Sequence, residues 1–125
     1  MLRLVSLVSG LYDIVVGALL LLAAPHLATL FGSRPIDPAI FGDTNGLFLV
    51  CIGLGYWLPW RDPERWRAYL WIMGPVLKFG GAALFLRDHW LRGSPASFLL
   101  FALSDGALAA WTLWALLRTP ATRAR

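Results

Sequence analysis

Apolar residues run through this chain in four long blocks, at about residues 2–24, 38–58, 68–86 and 96–117. A hydrocarbon layer needs about 20 apolar residues in a row to be crossed by a helix, and each block reaches that length. Short stretches rich in Pro, Gly, Asp and Arg separate the blocks. The pattern predicts an all-α fold: an integral membrane four-helix bundle, one domain over residues 1–125. The blocks leave no room for a separate soluble domain.

Polar positions inside the blocks are few and regularly placed. Ser6, Ser9, Gly10, Asp13 and Gly17 recur at three- and four-residue spacings, so they share one helix face. Small and polar residues on one face of a membrane helix mark the side turned to other helices. The second block carries Asp43-Thr44-Asn45-Gly46, then Gly53 and Gly55. The third carries Trp71, Pro75 and Lys78, and Pro75 frees a carbonyl one turn earlier and kinks the helix. The fourth carries Asp105-Gly106, with Ala102, Ala109 and Thr112 on the Asp105 face.

The boundaries have their own signals. Asp37-Pro38, Asp62-Pro63 and Ser94-Pro95 each place a capping side chain before a proline, which predicts helix starts at those positions. Residues 25–36 are too short to span. Leu27, Leu30 and Phe31 give them an apolar edge suited to a short interfacial helix, closed by a turn at Gly32-Ser33-Arg34-Pro35. The first block is longer than a signal-peptide core and is interrupted by Asp13, which reads as an uncleaved span.

A spacing repeat is also present. Gly10 and Gly17 match Gly74 and Gly81, and Asn45-Gly46 matches Asp105-Gly106. Two tandem helical hairpins of like orientation would produce it, and chance spacing of common membrane glycines is the competing account.

Charge changes the picture in two ways. The net charge is +4, but the arginines gather at block ends instead of forming a nucleic-acid-binding stripe. Arg3, Arg61, Arg65, Arg67, Arg118, Arg123 and Arg125 fall on one side, and Arg34, Arg87 and Arg92 on the other. By the positive-inside rule both termini, including the basic tail 118–125, are cytoplasmic, in a cell inner membrane. Trp57, Trp60, Trp66 and Trp71 near the inner end suit an aromatic belt.

The second change is Lys78, the chain's only lysine, which lies inside an apolar run. Counting about 1.5 Å per residue from the block ends puts Asp13, Lys78 and Asp105 near one midplane level. Asp43 and Asn45 step outward from it and would form an outer-side polar path. A charge at that depth usually has a partner or a job. One account is a clamp that fixes helix register, with Lys78 paired to either aspartate. The other starts from the imbalance: two carboxylates and one ammonium disfavour full ionisation in a low dielectric, so one aspartate would hold a proton or a cation.

Other chemistry has little support. A single cysteine, Cys51, excludes an internal disulfide and a Cys-x-x-Cys motif, and its place in the second block reads as a small core residue. His26, His89 and Asp88 lack metal-ligand spacing, so no metal site is predicted. No nucleophile motif, phosphate loop or H-E-x-x-H occurs, so no catalytic residue is assigned, and no cofactor is indicated.

The chain resembles small four-span bacterial membrane proteins of loosely DoxX-like type. The resemblance rests on Gly10-Leu11-Tyr12-Asp13 with a later Gly and Ala24-Pro25, the glycine-rich second block running into Asp62-Pro63, Leu77-Lys78-Phe79-Gly80, and Asp105-Gly106. It implies a four-helix membrane bundle. It also implies a link to quinone- or thiol-based redox systems, which the absence of a cysteine pair weakens.

These readings lead to one leading expectation and two alternatives. The first is a binding or accessory bundle in the lipid bilayer that holds a small hydrophobic ligand or a membrane-protein partner, alone or as a homo-oligomer. The alternatives are a proton-coupled small-molecule transporter using Asp13 and Asp105, and a membrane enzyme acting on a lipidic or quinone-like substrate.

Overall fold

The computed structural model describes residues 1–122, so Arg123 and Arg125 lie outside the described residues. All the regular secondary structure of the described residues is helical, with no strand. Helix α1 is Leu2–Phe31, α2 is Ile40–Gly55 and α3 is the short Trp57–Arg61. Helix α4 is Arg67–Arg92 and α5 is Ala96–Arg118. Three of them, α1, α4 and α5, are long and apolar enough to cross a membrane.

The second apolar block departs from the expected single span. Its helix tightens at Tyr56, whose N–H bonds the Gly53 carbonyl at 3.2 Å, and α3 continues beyond that turn. Helix α2 alone has 16 residues, about 24 Å at 1.5 Å per residue.

Proline shapes both long N-terminal halves. Pro25 has no N–H and its ring crowds the preceding turn, so α1 breaks just before it, at Ala23 (φ −141°, ψ 26°). One more stretch of helix follows and stops at Gly32 in the left-handed conformation, with Ser33 N–H bonded back to the Ala28 carbonyl at 2.9 Å. In α4, Pro75 is absorbed by a π-turn over Ile72–Val76, where Leu77 N–H reaches back to the Ile72 carbonyl. Lys78 lies two residues beyond this turn.

None of the three proline-marked starts caps a helix as expected: α4 begins at Arg67 with no side-chain cap, and Asp62 closes only the turn ahead of it. Asp62 Oδ1 accepts from Arg65 N–H at 3.1 Å. Asp37 caps nothing, because the chain bends through Pro38 and α2 starts at Ile40 with no side-chain cap. Ser94 turns the other way: its hydroxyl donates to Asp88 Oδ2 at 2.7 Å and helps close the α4–α5 turn.

Helices α1 and α2 form one antiparallel hairpin, and α4 and α5 a second. In the first, Gly10 faces Gly53 and Gly17 faces Gly46. A Cβ at Gly10 would lie 2.9 Å from the Gly53 carbonyl oxygen, and one at Gly17 would lie 2.6 Å from that of Gly46. In the second, a Cβ at Gly74 would lie 2.5 Å from Thr112 Cγ2, and Gly81 faces Asp105. These approaches fall, within one residue, where the sequence repeat relates the two halves.

The apolar core sits at the end of the bundle where α1 begins and α5 ends, built from Leu2, Val5, Tyr56, Leu70, Ala115 and Leu116. Arginines brace the same end. Arg3 Nη2 donates to the Arg61 carbonyl at 3.3 Å, and Arg67 donates to the carbonyls of Leu116 and Thr119, the free end of α5. At the opposite end Phe31, Phe85, Phe98 and Phe101 cluster, with Phe31 and Phe101 ring centres 5.1 Å apart. Ser97 Oγ donates to the Phe31 carbonyl at 2.6 Å there. Cys51 is not in the core. It is exposed on α2, because the α2 face that packs on α1 is taken by Gly46 and Gly53.

Candidate functional site

The polar residues of three helices meet at one level between the hairpins. Lys78 Nζ donates to Asp13 Oδ1 at 2.6 Å and stands 3.8 Å from Asp105 Oδ1. The first is a hydrogen-bonded ion pair; the second is too long for a hydrogen bond and is an electrostatic contact only. The two carboxylates also differ in access. The side chains of Asp13 and Lys78 are 2% and 3% exposed, while that of Asp105 is 18% exposed.

Local sequence explains the placement. Asp13 lies on the buried small-residue face of α1 with Ser6, Ser9, Gly10 and Gly17, all of which are buried. Ala102, Ala109 and Thr112, on the Asp105 face of α5, are buried as well. Gly81 leaves room for Asp105: a Cβ there would lie 3.3 Å from Asp105 Oδ2.

Tyr12 completes the arrangement. Lys78 Nζ lies 5.1 Å from the centre of its ring, within cation–π range. The Tyr12 hydroxyl and Ser104 Oγ are 2.6 Å apart. Ser104 donates to the Leu100 carbonyl at 2.8 Å, which leaves Tyr12 the donor in the pair. Ser9 Oγ, Asp13 Oδ2 and Tyr56 Oη are buried without a hydrogen-bond partner. Orphaned buried polar atoms are uncommon in folded proteins, and two of these three belong to Ser9 and Asp13, one turn apart on the buried face of α1.

The cluster is the floor of a cavity of about 930 Å³. Helix α2 supplies one wall through Asn45, Phe48, Leu49 and Ile52, and α4 supplies the opposite wall through Leu77, Gly81 and Leu84. Phe85, Phe98 and Phe101 line it toward the α4–α5 turn, where Arg87, Asp88 and Arg92 form the rim. Toward the apolar core, Tyr69 of α4 donates its hydroxyl to the Ile52 carbonyl of α2 at 2.5 Å. Beyond that bond the cavity lies between the two helices, lined by Asn45, Phe48 and Leu49 of α2 and by Leu77 and Leu84 of α4.

The structure thus joins Asp13, Lys78 and Asp105 and puts Asn45 on the wall of the same cavity. Asp43 is exposed, on another face of α2, since two residues along a helix turn by about 200°. Tyr12, Ser104, Tyr56 and the rim residues were not foreseen as site residues. Tyr12 could have been noticed as the neighbour of Asp13, but Tyr56 reads as a helix-end aromatic and carries no signal of its burial.

At the rim, Arg92 Nη1 donates to Asp88 Oδ1 at 3.2 Å. The Ser94 hydroxyl, and then the Arg92 guanidinium, hold the Asp88 carboxyl below the usual carboxylate range. The ring nitrogen His89 Nδ1 faces the Ser94 carbonyl at 2.7 Å, so this histidine is engaged in the turn. Among the described residues, no three His, Cys, Asp or Glu side chains are grouped to hold a metal ion.

Set beside known proteins, the chain matches no family model, no curated protein and no solved structure.

Proposed function

We propose that this protein is a multi-pass membrane bundle that holds an amphiphilic small molecule in the cleft between its two hairpins. One observation carries the reading: an apolar-walled cavity of about 930 Å³ ends on the Asp13–Lys78–Asp105 cluster. That volume is within the range of small-molecule sites, and mostly apolar walls with a few convergent polar groups are their usual make-up. The bundle's exterior supports membrane residence, with Leu22, Leu30, Phe41, Val76, Leu103 and Leu117 all more than 60% exposed. In this reading residues 38–58 act as the fourth span by counting α3 with α2. The inner-end arginines then lie in the cytoplasm, as the positive-inside rule requires.

Native mass spectrometry of the protein released from nanodiscs tests the reading. A discrete small-molecule adduct that survives stripping of annular lipid is expected, and the same spectrum gives the oligomeric state. A clean apoprotein carrying only exchangeable bulk lipid would overturn it.

A second reading, proton-coupled transport, draws on the asymmetry of the two aspartates. Asp13 is locked to Lys78, whereas Asp105 faces the cavity without a hydrogen bond to that lysine. Substrate-dependent proton flux into liposomes that Asp105→Asn abolishes would support it. Flux unchanged in that variant would rule Asp105 out.

A further inference from the structure

The charge at the cavity floor does not balance. Two carboxylates stand within 3.8 Å of one ammonium group, so the ionised cluster carries one excess negative charge. The excess lies on the cavity side, because Lys78 is hydrogen-bonded to Asp13 and only near Asp105. Asp13 itself retains a buried oxygen, Oδ2, with no partner. Above this floor the walls are apolar and aromatic, with Phe48, Phe85 and Phe101 on three different helices. Aromatic faces attract cations, and more strongly where water is excluded.

The outer rim carries the opposite sign. Arg87 and Arg92 flank Asp88, and Arg92 is paired with it. Arg87 is nine residues beyond Lys78 on the same helix, about 13 Å away by helical rise. Its charge is therefore remote from Asp105. Access from the side avoids the rim altogether, since the opening between α2 and α4 is edged by Phe48, Leu77 and Leu84, all exposed and apolar.

From this charge complementarity we propose that the cleft takes an amphiphilic organic cation. The cationic centre sits against Asp105, and the apolar body lies between α2 and α4. The proposal rests on the ligand-holding reading above and adds the sign of the ligand's charge. It also assigns Asp105 as the residue that selects it, with Asp13 and Lys78 as a fixed pair that keeps Asp105 uncompensated.

Tetraphenylphosphonium and tetraphenylborate test it, being alike in size and shape and opposite in charge. Binding of each is measured by isothermal titration to the full-length protein in nanodiscs, with partition into empty nanodiscs subtracted. The phosphonium is expected to bind at least about ten-fold tighter than the borate. Asp105→Asn should bring the two within about three-fold of each other, and Asp105→Glu should keep the preference. Equal affinity in the wild type overturns the cation assignment, as does a preference that persists in Asp105→Asn. Failure of both ions to bind overturns it too. Each of these results leaves the ligand-holding reading to be judged separately, by the adduct in native mass spectrometry. If Asp105→Asn fails to fold, the wild-type comparison of the two ions decides the matter alone.

Discussion

Lys78 gives its hydrogen bond to Asp13, at 2.6 Å, and leaves Asp105 at 3.8 Å. Removing one partner of a buried pair is far more damaging than removing both, because an isolated charge stays behind. Lys78→Met should therefore cost about 3–5 kcal/mol in reversible unfolding in detergent. Asp13→Asn should cost less, since Lys78 can turn to Asp105. Asp105→Asn should be mildest, at about 1 kcal/mol or below, as expected for a partly exposed pair. The double variant Lys78→Met, Asp13→Asn should recover more than half of the loss in Lys78→Met. An Asp105→Asn variant as unstable as Lys78→Met would show that the pairing has been assigned to the wrong aspartate.

The seam between α1 and α2 admits no side chain at Gly17. A Cβ there would meet the Gly46 carbonyl oxygen at 2.6 Å and the Val50 amide nitrogen at 2.8 Å, both backbone atoms that cannot swing away. Gly17→Ala should destabilise by about 1–3 kcal/mol, the usual effect of overpacking. Gly80 on α4 has nothing within 4 Å of an added Cβ. Gly80→Ala should be neutral, or stabilising by up to about 1 kcal/mol through reduced chain entropy. Thermal melts of the two variants side by side provide the check, and equal losses would contradict the seam.

Acid should loosen the outer turn. The Asp88 carboxyl titrates below its ordinary value because Ser94 and Arg92 bond its ionised form. Its folded-state pKa is thus lower than its unfolded one. The stabilisation it brings is complete above the unfolded value of about 3.9 and vanishes as pH falls through the folded value. A carbon-detected NMR titration should give a midpoint under about 3.9 for Asp88. In Ser94→Ala the midpoint should move back up; no movement would mean that the serine hydroxyl is not the cause.

Tyr69 ties α4 to α2 beside the apolar core. Its hydroxyl bond to the Ile52 carbonyl is the point at which α2 and α4 meet, and its ring stands edge-on to that of Tyr56, with centres 5.3 Å apart. Tyr69→Phe keeps the ring and removes the bond, which should cost about 1 kcal/mol. Amides around Ile52 should lose hydrogen-exchange protection while those near Gly17 and Gly46 keep theirs. Uniform loss across α2 would point to global destabilisation instead.

Much of this arrangement was legible in the residues. The buried face of α1 follows from the spacing of Ser6, Ser9, Gly10, Asp13 and Gly17. Depth counting brought Asp13, Lys78 and Asp105 to one level because rise per residue is nearly constant in a helix. Rotation about the helix axis was not legible. The π-turn over Ile72–Val76 adds a residue to one turn and swings Lys78 by about 100° from where α-helical periodicity puts it. No residue pattern before Pro75 announces whether a helix will kink or widen there. Cys51 and Asp37 misled for a related reason. Apolar surroundings along the chain suggested burial for Cys51, and a capping residue type suggested a helix start at Asp37, yet each outcome is set by which face or turn the rest of the fold has already occupied.

The shortness of α2 has a consequence for the surrounding lipid. At 16 residues it reaches about 24 Å, some 6 Å less than a hydrocarbon layer of about 30 Å. Inserted as proposed, the chain completes this crossing only by adding α3 beyond the turn at Tyr56. The same flank carries the lateral opening between α2 and α4. A change in membrane thickness, which costs fractions of a kcal/mol per Å of mismatch, therefore bears at the entrance on a joint between two helices.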